Sequence, residues 1–182
     1  MKILVTGFTP FGGETINPSW EAVRALDDSI AGADIIKCEI PTEFEASIDA
    51  LKAAIDAHQP NAILCVGQFG GSPSIQIERV AINLRDARTP DNAGFQPNDQ
   101  PVVDSAPDAF FSTIPTRQIG SAQPEFPLRS PTPPGLMYAT TCSMLRYMKT
   151  HRQEKETLRA AVLSMFPICP IRLLPPFLMF PV

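Results

Sequence analysis

The sequence predicts an α/β domain on a mostly parallel sheet, and three observations carry that expectation. Short apolar runs alternate with stretches of helical spacing in the first half of the chain. Glycine-rich loops follow the first and third of those runs directly. At 182 residues and 44% hydrophobic, the chain is long enough to bury one substantial core without disulfide or metal support.

Residues 2–6 read as a buried strand. Asn17 supplies an N-cap and Pro18 a first-turn proline for a helix running through Trp20, Val23 and Leu26. Residues 34–39 form the second strand in this reading. Residues 46–58 place Ile48, Leu51 and Ile55 at helical spacing, and His58 at the end of that helix suits the dipole as a structural cap. A third buried strand covers residues 62–66. Ile75, Ile77, Val80 and Ile82 indicate further extended structure around Glu78, and residues 89–101 form a turn-rich surface loop. Strands alternating with helices in this way imply a parallel sheet, which binds ligands at the carboxyl ends of its strands.

Bulk composition excludes several classes of function. The net charge is −4 and no basic patch or lysine run occurs, which argues against nucleic acid or anionic membrane as the main partner. The start of the chain runs from Met1 and Lys2 straight into a strand, without a signal-peptide pattern, so the cytoplasm is the expected compartment. The apolar stretch 166–182 is too short for a membrane helix and is broken by five prolines. Four cysteines without CxxC spacing and only two histidines give no zinc-ligand set, and no metal or cofactor is implied.

Composition changes abruptly near Thr116. Up to that residue the chain carries 7 Lys and Arg against 16 Asp and Glu. From Arg117 onward it carries 8 against 3, with no Asp or Asn, and 11 of the 20 prolines lie from Pro115 to the end. No Ser, Gly or Gln bias marks an ordinary linker. The chain therefore reads as residues 1–116 of one domain followed by 117–182 as a tail of different character.

Candidate chemistry gathers in two loops and one strand. The loop from Thr6 through Phe8 and Phe11 to Gly13 follows the first strand, but its spacing matches neither GxGxxG nor a P-loop, so nucleotide binding has little in its favour. Phe8 and Phe11 either plug the core from above or wall a flat ligand. The segment from Cys65 to Gly71 ends the third strand in the same way and sets Gln68 beside the first loop. Cys65 reads as a small buried hydrophobe. Glu78 sits in an extended apolar segment, where a lone carboxylate is costly to bury, so an ion pair with Arg79 or Arg85 is the plain structural expectation.

Three segments, KILVTGFTPFGGETINPSWEAV from Lys2, HQPNAILCVGQFGG from His58 and IERVAINLRDARTPDNAGFQP from Ile77, together resemble the pyroglutamyl-peptidase I family of cysteine peptidases. The resemblance is co-linear and spans nearly two-thirds of the chain. It implies a three-layer α/β/α sandwich around a mostly parallel mixed sheet, of the phosphorylase/hydrolase-like kind. It implies removal of N-terminal pyroglutamate from peptides through a Cys-His-Glu triad and a thioester, without cofactor, in a homo-oligomer, a tetramer in the family. By the same resemblance Glu78 is the triad carboxylate, Phe8 and Phe11 flank the lactam ring, Gln68 lines the pocket, and Arg88 lies near the forming oxyanion. Thr9, Phe69 and Ser72 depart from the family pattern, standing where an acidic residue, a small residue and an arginine are usual.

The segments expected to bring the nucleophile (SNTAGT-x-VCNH) and the histidine (GGFIH-x-P-Y) do not occur, so the catalytic cysteine and histidine are absent from this chain. Residues 130–141, back-translated and read one nucleotide out of register, can encode SNTAGTYVCNH. Residues 125–130 give GIPAAVS, and residues 160–172 give GGFIHVPYMPDQ, in the same shifted register. A frameshift between about Thr116 and Pro124 accounts for all three, with one nucleotide lost or two gained. The cysteine codon then straddles Tyr138 and Ala139, and the histidine codon straddles Ser164 and Met165. Cys142 and His151 are products of the shifted frame with no evolved geometry between them. Residues 144–163 have helix-compatible spacing but no face prepared for docking. The expectation is an inactive, non-native C-terminal third on a peptidase domain. The alternative is a non-catalytic pyroglutamate-binding remnant or pseudogene product.

Overall fold

The computed structural model describes residues 1–70, 75–121 and 159–165, giving the backbone alone for 76, 120, 121 and 159–165. A six-stranded sheet forms the centre. Its strands are β1 (Lys2–Phe8), β2 (Ser29–Ile30), β3 (Ala33–Ile40), β4 (Ala62–Gln68), β5 (Gln76–Glu78) and β8 (Arg159–Met165). They lie in the order β2-β3-β1-β4-β8-β5. The β3, β1, β4 and β8 strands run parallel, and the short edge strands β2 and β5 are antiparallel to their neighbours. A separate ribbon pairs β6 (Val80–Ile82) with β7 (Ala109–Phe111).

Alternation along β1 sends successive side chains to opposite faces, and each face meets one helix. Leu4 joins Ile63 and Cys65 against Ile48, Leu51, Ala54 and Ile55 of α2 (Phe44–His58). Val5 joins Val66 against Val23, with Trp20 packed alongside, from α1 (Pro18–Arg24). The result is three layers, α/β/α. Leu4 and Leu51 are fully buried, each contributing about 2 kcal/mol of apolar transfer.

Asn17 caps α1 as its sequence position predicts, its Oδ1 accepting from the Ser19 N–H at 3.0 Å and from Ser19 Oγ at 2.8 Å. Helix α1 stops at Arg24, two residues earlier than the Leu26 spacing suggests, because Leu26 N–H turns back to the Val23 carbonyl. Helix α2 begins two residues earlier than its apolar spacing indicates, at Phe44. Glu43 gives it no side-chain cap, and the Phe44 N–H instead donates to Asp91 Oδ2 at 2.8 Å. At the other end Gln59 takes the left-handed conformation, φ 47°, and its N–H reaches the Ile55 carbonyl. A third helix, α3 (Thr116–Ser121), follows β7. Residues 159–163, which have helix-compatible spacing, are instead part of β8. Its parallel ladder to β4 satisfies their backbone groups, and local propensity yields to that pairing.

Candidate active site

The parallel strands β1, β4 and β8 end at one rim of the sheet, and three of the aromatic and amide side chains singled out above lie there, Phe8 and Gln68 at the last positions of β1 and β4 and Phe11 in the loop after β1. Gly7, near the end of β1, lets α1 approach the sheet: a Cβ there would stand 2.6 Å from Trp20 Cα and 2.7 Å from Trp20 N. Phe8 follows, 4% exposed, with its N–H donating to Ser19 Oγ at 3.0 Å. Its ring lies against β4, where a Cβ on Gly67 would meet Phe8 Cε2 at 3.9 Å. Gln68 comes next, half-buried. Phe11 stands apart from Phe8, 41% exposed in the loop beyond. The two phenylalanines thus play different structural parts, one seated at the sheet and one open to solvent.

Two other segments latch this first loop in place. Thr42 N–H donates to Thr9 Oγ1 at 2.9 Å, and Thr42 Oγ1 donates to the Thr9 carbonyl at 2.6 Å. Asn17 Nδ2 donates to the same carbonyl at 3.0 Å, and Asn92 Nδ2 donates to the Pro10 carbonyl at 2.8 Å. Asp91 organises the Asn92 segment, its Oδ1 accepting from the N–H groups of Ala93 at 3.0 Å and Phe95 at 2.8 Å. The Phe95 ring meets Phe44 edge to face at 5.9 Å. Asn83 fixes the return of the chain, with Oδ1 accepting from Val102 and Val103 N–H and Nδ2 donating to the Val103 carbonyl. Thr9, which stands where an acidic residue is usual, is here a hydroxyl acceptor in the latch. Thr42, Asn83 and Asp91 escape a sequence reading because their partners lie far away in the chain.

Glu78 ends β5, in register with Val162 of β8. Burial pushes its carboxyl above the ordinary glutamate range. Neither arginine expected to pair with it does so. Arg85 pairs with Glu45 and donates from Nε to the Pro101 carbonyl at 3.1 Å, while Arg79 is exposed. Among the described residues no hydrogen bond or ion pair reaches the Glu78 carboxylate. The ion-pair expectation fails because the ladder between residues 85 and 100 holds Arg85 over α2. Arg88 lies exposed in the following loop.

Cys65 is buried on β4, as expected of a small apolar side chain, and is disulfide-bonded. Cys38 is the free cysteine among the described residues, its thiol pushed up by burial and then by Glu39. No group of three potential metal ligands occurs among the described residues. None of the described helices is long and apolar enough to cross a membrane. Ser72, Cys142 and His151 and the codon positions at Tyr138 and Ala139 lie outside the described residues.

Fold and loops together define a three-layer α/β protein whose candidate site sits at the carboxyl ends of its parallel strands. Residues 1–163 match the profile described as pyroglutamyl peptidase, and the chain belongs to that family. It is 52% identical over 122 residues to a pyrrolidone-carboxylate peptidase of Thermococcus kodakarensis, covering 67% of this chain and 59% of that protein. It is 42% identical over 158 residues to one of Levilactobacillus brevis, covering 86% and 76%. The structure superposes on pyroglutamyl peptidase I of Bacillus amyloliquefaciens with a TM-score of 0.82 at 38% identity, covering 92% of this chain and 80% of that one. On a pyrrolidone carboxyl peptidase mutant from Pyrococcus furiosus the TM-score is 0.84 at 32% identity, covering 92% and 82%. Against the first curated relatives the matched region spans about three fifths of their length.

Proposed function

We propose that this locus encodes a cysteine exopeptidase that removes N-terminal pyroglutamate from peptides, and that residues 117–182 are read out of frame. In this reading Glu78 is the carboxylate that orients the catalytic histidine. Phe8, Phe11 and Gln68 hold the lactam, and Arg88 stands near the oxyanion. The nucleophile and the histidine belong to the other reading frame, so this polypeptide does not turn over substrate. The working product acts in the cytoplasm as a homo-oligomer.

One observation carries the proposal: Glu78 is a half-buried carboxylate on a core-edge strand with no partner among the described residues. A carboxylate in that state costs stability unless something is meant to pair with it. In a triad that partner is an imidazole. The charge reversal from Arg117 has the same origin in this account.

The experiment is a pair of measurements. The DNA from the Phe110 codon onward is resequenced, and this chain and its frame-restored counterpart are assayed with a pyroglutamyl-coumarin substrate. The restored chain is expected to exceed this one by at least ~10⁴-fold, the scale on which loss of nucleophile and base together is felt. Turnover by this chain that disappears on Cys142→Ala would overturn the assignment. Saturable pyroglutamate binding without turnover would favour the binding-remnant reading. Codons incompatible with the shifted motifs would remove the frameshift.

A further inference from the structure

Among the described residues the large apolar side chains open to solvent are Met1, Val80 and Phe111, and then Phe11, Ile16 and Phe95. Val80 and Phe111 face each other on the separate β6–β7 ribbon. Phe11, Ile16 and Phe95 instead belong to two segments tied together near the carboxyl rim of the sheet. Asn92 Nδ2 donates to the carbonyl of Pro10, the residue before Phe11, and the Asn92 N–H donates to the Thr42 carbonyl at 3.2 Å.

The turn that holds Asn92 also sets Phe95. Gly94 takes φ 81°, a value that favours glycine, and its N–H donates to the Asp91 carbonyl at 3.0 Å. The Asp91 N–H in turn donates to the Phe95 carbonyl at 2.9 Å. The Phe95 ring is pinned by its edge-to-face contact with the buried Phe44, yet the residue remains 38% exposed. Both Asp91 carboxylate oxygens are taken up by the N–H groups of Phe44, Ala93 and Phe95, so the turn offers a ring and not a free charge. A ring already held in place loses little freedom when a ligand packs against it, which suits it to recognition.

We propose that Phe95 is a specificity-determining residue, forming with Phe11 an apolar wall that receives the side chain of the residue after pyroglutamate. Large apolar side chains are favoured there over small ones. The inference rests on the peptidase reading above, in which Phe11 already bounds the lactam, so the wall continues outward from that site along the leaving peptide.

Phe11, Asn92 and Phe95 precede Thr116 and are common to this chain and its frame-restored counterpart. The kcat and KM of the restored chain are measured with pyroglutamyl-phenylalanine amide and pyroglutamyl-alanine amide, for the parent, Phe95→Ala and Phe95→Tyr. The parent is expected to favour the phenylalanine peptide about tenfold in kcat/KM, chiefly through KM, because packing on the wall is alike in ground and transition states. Phe95→Ala should bring that ratio close to one, and Phe95→Tyr should preserve it. Both peptides meet the same protein sample, so the ratio does not respond to loss of folded chain. A ratio near one in the parent, or one that survives Phe95→Ala, overturns the wall and leaves the peptidase reading standing. A restored chain that turns over neither peptide counts against the peptidase reading instead. The two peptides are then titrated into this full chain and followed by NMR, where larger shifts at Phe95 with the phenylalanine peptide support the wall and equal or absent shifts overturn it.

Discussion

The two sides of the sheet differ in how completely their polar groups are satisfied. Around β1 and β3 the loops are cross-tied: Thr9, Asn17, Ser19, Thr42 and Asp91 each have partners, several from segments dozens of residues away. Around β5 the carboxylate of Glu78 has none among the described residues. Buried or half-buried polar groups in native proteins are normally paired, so the contrast separates a region whose polar groups are closed by long-range ties from one that leaves a carboxylate open among the described residues. Among the described residues the exception on the satisfied side is Thr6, fully buried with its Oγ1 unpartnered, and it lies in the same cross-strand row as Glu78.

Substitutions can sharpen or break that contrast. The largest effect is expected at Gly7, where Gly7→Ala drives a Cβ into the Trp20 backbone at 2.6 Å and neither strand nor helix can yield cheaply. A loss of about 3 kcal/mol should appear in urea denaturation, and a loss under about 1 kcal/mol would mean that α1 is loosely docked. Next comes Asp91→Ala, which strips acceptors from three N–H groups and uncaps α2. About 2 kcal/mol should be lost, with faster amide exchange at Phe44 and Phe95; unchanged exchange there would break the claim that Asp91 ties the loops together. Thr6→Val should run the other way, gaining about 1 kcal/mol by removing an unsatisfied hydroxyl of equal shape. A loss instead would reveal a hidden partner for Oγ1.

The smallest effect is a pH dependence. The Glu78 carboxyl is raised in the folded state, so the folded chain holds its proton to higher pH than the unfolded chain. Its contribution is therefore favourable at low pH, declines as pH rises through the ordinary glutamate range, and levels off once the folded carboxyl has ionised. Glu78→Gln should leave stability unchanged in acid and raise it slightly at neutral pH. A drop at neutral pH would show that Glu78 has a stabilising partner after all.

Much of the fold was legible because local rules and tertiary packing agree there. The Asn17–Pro18 start of α1, the spacing of Ile48, Leu51 and Ile55, and the apolar runs of β1, β3 and β4 each point to the element observed. Strand β8 was not legible, since residues 159–165 acquire their conformation from pairing with β4 and β5. Nor were the roles of Asn83, Asp91 and Thr42, whose hydrogen bonds join residues about twenty to fifty apart, distances over which no local pattern speaks. Within the candidate site, sequence pattern put Phe8 and Gln68 in the loops after strands ending at Thr6 and Val66, whereas both strands run on to include them, and it gave no hint that Phe8 is buried and Phe11 exposed.

The position of β8 has a consequence for the order in which the molecule is assembled. Among the described residues strand β5 pairs with the sheet only through β8, although some eighty residues separate them in the chain. As the polypeptide is synthesised, β4 and β5 both emerge early and wait with open edges for a strand that arrives near the end. Closing the sheet across so long a loop is slow, and the exposed edge of β4 invites pairing with other chains in the interval. A change in the late part of the gene is thus felt first as delayed closure of a sheet whose early strands are otherwise complete.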